Sequence, residues 1–183
     1  MNMSRTILSA AVLSVAACAG ACDTAPKSSA DKATLSSDVS SAIDSFRNAD
    51  PSLNDLLNRS IGYAVFPDIG KAGFIAGGAY GRGEVFEMGR KIGYADVSKG
   101  SIGLQAGAQT FSQLIVFMRK SQLDDFKNGK FAFAADASAV AIKAGAAAAA
   151  DYSKGVIVFT QAKGGLMAEA SVGGQNFTFQ PLY

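Results

Sequence analysis

Beyond Ile61 the chain alternates short runs of β-branched and aromatic residues with glycines, a punctuation that restricts it to a β-rich fold. The runs predict strands at 63–66, 72–80, 82–87, 91–97, 102–109 and 111–118, then at 156–161, 166–172 and 177–179. Met88-Gly89 reads as a tight hairpin turn, and Gly164-Gly165 and Gly173-Gly174 join the last three strands into an antiparallel meander. Glycine inside a strand lowers stability and gives its neighbours nothing to pack on. Its abundance therefore implies close sheet packing or bends where larger side chains would collide, as in a strongly curved sheet or small barrel. Room for a bound acyl chain is the alternative reading of the same small residues.

Helical patterns flank these runs. Leu35, Val39, Ala42, Ile43 and Phe46 recur at the spacing of one apolar stripe and predict an amphipathic helix over 36–48. Asp50 as N-cap and Pro51 at the first helical position start a second helix, with Leu53, Leu56 and Leu57 inward and Gly62 as its stop. A third begins at Ser121, carries Asp124 and Asp125 in its first turn and stops at Gly129. In 132–150 the alanines favour helix, whereas Phe131, Phe133, Val140 and Ile142 alternate as in a strand. Gly145 and the lack of a charged helix face favour extended structure there. The expected fold is α+β, mainly antiparallel β, with two N-terminal helices and one mid-chain helix.

The leading segment decides where such a domain would reside. Arg5 supplies a short positive region, 6–17 is apolar, and Val15-Ala16-Ala17 leads into Cys18. That order reads as a bacterial lipoprotein signal over 1–17, with Cys18 as the acylated (palmitate-bearing) residue and Cys22 as the alternative acceptor. The apolar run is too short to span a bilayer as a permanent helix. Residues 18–34, small and polar around Pro26, are expected to tether the acylated end to a folded domain at 35–183. Cleavage before Cys18 fits the periplasmic face of the outer membrane. Acylation of Cys22 would put Asp23 next, which resembles an inner-membrane retention signal.

Composition excludes several functions. The two cysteines sit at the signal end, so no internal disulfide framework holds the fold. A formal charge of +2 argues against nucleic-acid binding. The chain has no histidine, which removes serine-histidine and cysteine-histidine catalysis and the commonest transition-metal ligand. No cofactor or metal is implied. Gly78-Ala79-Tyr80-Gly81-Arg82-Gly83 lacks the order of a phosphate-binding loop and the helix that would follow one. An enzyme is not expected.

Taken in order, Gly62-Tyr63-Ala64-Val65-Phe66-Pro67, Lys71-Ala72-Gly73-Phe74, Gly77-Gly78, Gly81-Arg82-Gly83 and Gly100-Ser101-Ile102-Gly103-Leu104-Gln105-Ala106-Gly107-Ala108-Gln109 resemble the SYLF domain. Tyr152-Ser153-Lys154-Gly155 and Gly165-Leu166-Met167 extend the resemblance, which covers 35–183. Eukaryotic members bind phosphoinositides, partly through a basic amphipathic helix, and yeast members bind actin; bacterial relatives look like periplasmic lipoproteins. The helix at 36–48 departs from that pattern, with Asp38, Asp44 and only Arg47, and Tyr94-Ala95-Asp96-Val97 replaces a tryptophan-containing motif. Nothing in these residues supports actin binding. The resemblance implies a non-enzymatic, lipid-binding domain of an envelope lipoprotein, with an anionic phospholipid surface as partner. A structural or assembly protein contacting an envelope protein is the alternative. Lys71, Arg82, Arg90 and Lys91 are the headgroup candidates, because Arg90 and Lys91 follow a hairpin tip and Lys71 and Arg82 flank an expected glycine-rich hairpin.

Overall fold

The computed structural model describes residues 26–71, 79–99, 110–131, 138–163 and 174–182. Seven strands form one sheet: β1 (Gly62–Lys71), β2 (Ala79–Glu87), β3 (Arg90–Lys99), β4 (Phe111–Phe117), β5 (Ser138–Ala141), β6 (Val156–Ala162) and β7 (Gln175–Pro181). Their spatial order is β5-β6-β4-β1-β2-β3-β7, antiparallel throughout except for the β5–β6 pair. The α+β class and the mainly antiparallel pairing are as the sequence leads one to expect. The sheet is curved but open, with β5 and β7 as its edges among the described residues.

Both faces are buried. On the inner face Phe66, Ile69, Val97, Ile115, Phe117, Val158 and Phe177 pack with Leu123 and Phe126 of α3 (Lys120–Lys127). Aromatic rings close this core: Phe126 meets Phe117 at 5.1 Å and Phe177 at 5.2 Å between centroids. On the outer face Val65, Leu114, Val116, Ile157 and Phe159 are covered by α1 (Ser29–Ala49), α2 (Leu53–Arg59) and α4 (Ala146–Ala149). The stripe Leu35, Val39, Ala42 and Phe46 is the buried side of α1. The amphipathic face of this helix is therefore already occupied by its own sheet.

Several boundaries differ from expectation. Helix α1 starts at Ser29 rather than at 36, because the Ser28 hydroxyl accepts the Asp31 backbone N–H at 3.0 Å and caps it. The extra turns carry exposed polar residues, which leave no apolar period to read. Asp50 does not cap α2. Its carboxylate accepts from the Ser52 N–H and hydroxyl, holding a turn over Pro51-Ser52, and the helix begins at Leu53. It ends at Arg59, and Gly62 opens β1 instead of stopping α2.

No strand break occurs at Gly81: β2 runs unbroken from Ala79 to Glu87. Gly83 is needed for contact, since a Cβ there would lie 2.2 Å from the Val65 carbonyl oxygen. Met88-Gly89 is a hairpin turn as expected, with φ +50 and +75. The third helix begins at Lys120 after Arg119, one residue before the expected cap. Over 138–150 the chain is neither wholly extended nor wholly helical, because β5 pairs parallel with β6 and Gly145, at φ +78, then turns it into α4.

The expected terminal meander is not formed. Strand β6 lies between β4 and β5, while β7 crosses to the far edge beside β3. Paired with β3, β7 carries Phe177 into the inner core against Phe66, 5.8 Å between ring centroids. The expected strand segments 72–78, 102–109 and 166–172 lie outside the described residues, as do Cys18, Cys22 and 18–25.

Candidate functional site

A single bulge organises the polar part of the outer face. Glu87 pairs with Arg90 and Phe86 with Lys91, but Val85 then pairs with Gly93, so Ile92 is the extra residue on β3. The one-residue slip puts Ala95 and Val97 into the inner core and turns Tyr94 and Asp96 outward. It also places Arg82 opposite Asp96.

Two of the four basic candidates are engaged by this arrangement. Lys91 makes an ion pair of 2.8 Å with Glu84, whose side chain is only 3% exposed, and donates to the Ser36 hydroxyl of α1. That hydroxyl donates in turn to Glu84 at 2.6 Å, and the Lys91 ammonium sits 5.0 Å from the Tyr94 ring centre. Burial alone would lower the Lys91 pKa; the Glu84 hydrogen bond and charge outweigh it and hold the ammonium above lysine's ordinary value. Arg82 pairs with Asp96 at 3.2 Å and donates to the Tyr80 hydroxyl. Burial, followed by the Asp96 carboxylate, raises the Tyr80 pKa.

The other two candidates stand apart. Lys71 ends β1 opposite Ala79, and Arg90 starts β3 opposite Glu87. Eight residue steps along β2 separate those positions, about 26 Å at strand rise, so the four positions do not share one patch. Arg90 is exposed beside the turn, and its guanidinium has no ion pair among the described residues. Next to it Met88 is 81% exposed, the most exposed large apolar side chain described.

The sequence did not single out Glu84, Asp96 or Met88 as site residues. The outward turn of Asp96 follows from the bulge on β3, for which Gly93 after Ile92 is the local sign. A methionine before glycine in a hairpin turn, where asparagine is the usual choice, was the available signal for Met88. Among the described residues no His, Cys, Asp and Glu cluster could hold a metal ion, and no helix is long and apolar enough to cross a membrane.

The family described as Ysc84, Las17-binding protein actin regulator, matches residues 98–181. This segment belongs to the SYLF family. No curated protein matches the chain. The SYLF segment supplies β4 to β7, α3 and α4, yet β4 pairs with β1 and β7 with β3. Strands β1 to β3 therefore sit between two parts of the matched segment, and the sheet cannot form without them. Of the motifs from Gly62 to Gly83, the described residues 62–71 and 79–83 lie in β1 and β2 at the centre of the same sheet.

Proposed function

We propose that this protein is a non-enzymatic envelope lipoprotein whose SYLF body lies against a membrane and contacts anionic lipid. The observation that carries the reading is the joining, in one chain, of a SYLF sheet to a leading segment that ends in Val15-Ala16-Ala17-Cys18. Acyl chains on Cys18 would give the attachment, at about 0.8 kcal/mol per buried methylene. The body then needs only weak affinity of its own. The periplasmic face of the outer membrane is the proposed site, or the inner membrane if Cys22 is the acylated residue.

The absence of catalysis in this reading is supported by where the charges go. The two buried acids of the polar outer face, Glu84 and Asp96, are held by Lys91 and Arg82 in ion pairs, which fits a role in holding the fold. The test is native mass spectrometry of the processed protein taken from bacterial membranes, followed by organic extraction. Phospholipid bound beyond the covalent anchor supports the reading. A clean apo mass favours contact with an envelope protein instead, and sedimentation with actin filaments would redirect it to the activity in the family's description.

A further inference from the structure

We propose that the β2–β3 turn is the point by which the anchored body docks on an anionic bilayer, with Met88 entering the headgroup region and Arg90, Arg119 and Lys154 holding phosphates around it. The inference rests on the membrane attachment proposed above and specifies the face that meets the lipid.

Four observations converge on this end of the sheet. Met88 is both exposed and held at φ +50, a conformation in which asparagine or glycine would be less strained. An exposed apolar residue in a disfavoured turn conformation has no folding purpose that a polar residue would not serve better. The neighbouring strand ends then add cations. Arg90 starts β3; Arg119 follows β4 and donates to the Ser153 carbonyl; Lys154 precedes β6. All three are exposed and none forms an ion pair among the described residues.

These strand ends are adjacent in the order β3-β2-β1-β4-β6, so the row spans about 19 Å at the usual strand spacing. The acids of this end are partly engaged: Glu87 takes Lys120 and Lys127, and Asp124 takes the same two lysines. Asp151 is exposed near Lys154 and turned toward the Ser153 N–H. Chain length permits the contact. Pro26 lines a groove with Arg82, and the eight peptide steps back to Cys18 reach at most about 28 Å. From Arg82 to the tip of β2 is about 17 Å. The opposite strand ends are also basic, with Lys71, Lys99, Lys143 and Lys163 beside Asp68, but among the described residues the only large apolar side chain exposed there is Tyr80, at 38% against 81% for Met88.

The test uses the processed, acylated protein in vesicles of phosphatidylethanolamine with phosphatidylglycerol, carrying Cys22→Ser and either Met88→Cys or Asp68→Cys with a fluorophore on the new thiol. A headgroup-level quencher lipid should quench the label at 88 and not at 68, and salt should weaken the effect. Arg90→Gln should lower the docked-to-free ratio about fivefold. Met88→Asn gives a second measurement: a higher melting temperature for the body in solution, together with loss of vesicle protection from a water-soluble protease. Quenching at 68 alone, or at neither position while the protein still carries bound phospholipid, overturns the docking face and leaves lipid binding standing. No bound phospholipid and no quenching would remove both.

Discussion

Gln113 and Gln175 exchange two side-chain hydrogen bonds of 3.0 Å in the interior, although three strands separate β4 from β7 in the sheet. Four strand spacings would put them about 19 Å apart in a flat sheet, so the amide pair is a direct measure of how far the sheet curls. Each amide is buried, and each satisfies the other.

Removing one partner therefore leaves a buried amide with nothing to bond. Gln113→Leu or Gln175→Leu alone should cost about 1–3 kcal/mol in urea unfolding. The double variant should be less destabilised than either single one, because it removes both unsatisfied groups. Additive losses would mean that the pair does not join the two sides of the sheet.

The Glu84–Lys91 pair gives a comparable asymmetry on the outer face. Lys91→Met strands a carboxylate that is almost wholly buried, and should cost about 3 kcal/mol. Glu84→Gln combined with Lys91→Met should recover most of that loss, read as a double-mutant cycle in urea. Full additivity would show that the two charges do not interact.

Much of the fold was legible in residue pattern. The stripe of α1, the Met88-Gly89 turn and the β-rich body with its antiparallel pairing follow from periodicity and turn chemistry. The meander failed because local glycine turns say which strands end, not which strands pair; the Phe177 contact with Phe66 decides that at long range. The surroundings of the candidate residues were only half legible. The exposure of Arg90 follows from its place after the turn, whereas the engagement of Arg82 and Lys91 depends on a one-residue bulge that reverses which side chains face outward.

Strand and turn glycines should divide by what they touch. Gly83→Ala drives a Cβ into the Val65 carbonyl and should cost at least about 2 kcal/mol. Gly89→Ala meets nothing within 4 Å and pays only for its positive φ, about 1 kcal/mol. Equal thermal shifts for the two would remove the packing explanation for the glycine content.

Asp50 ties the outer helices together. Its carboxylate accepts from the Ala147 N–H of α4 at 2.7 Å as well as from Ser52. Burial acts to raise its pKa, yet these hydrogen bonds prevail and leave it below the ordinary carboxylate value. A lowered folded pKa means that the stabilisation is complete above the unfolded value and is lost as pH falls through the folded one. Asp50→Asn should thus destabilise at neutral pH by about 2 kcal/mol, and the gap from wild type should narrow below about pH 4. A gap independent of pH between 3 and 7 would contradict this role for the carboxylate, at about the precision of urea titration.

The most direct test of the membrane attachment is intact and N-terminal peptide mass spectrometry of the native protein. A first residue at Cys18, carrying the added mass of a diacylglyceryl group and an amide-linked acyl chain, is the predicted result. A polypeptide that still begins at Met1, with both cysteine thiols free, would contradict it.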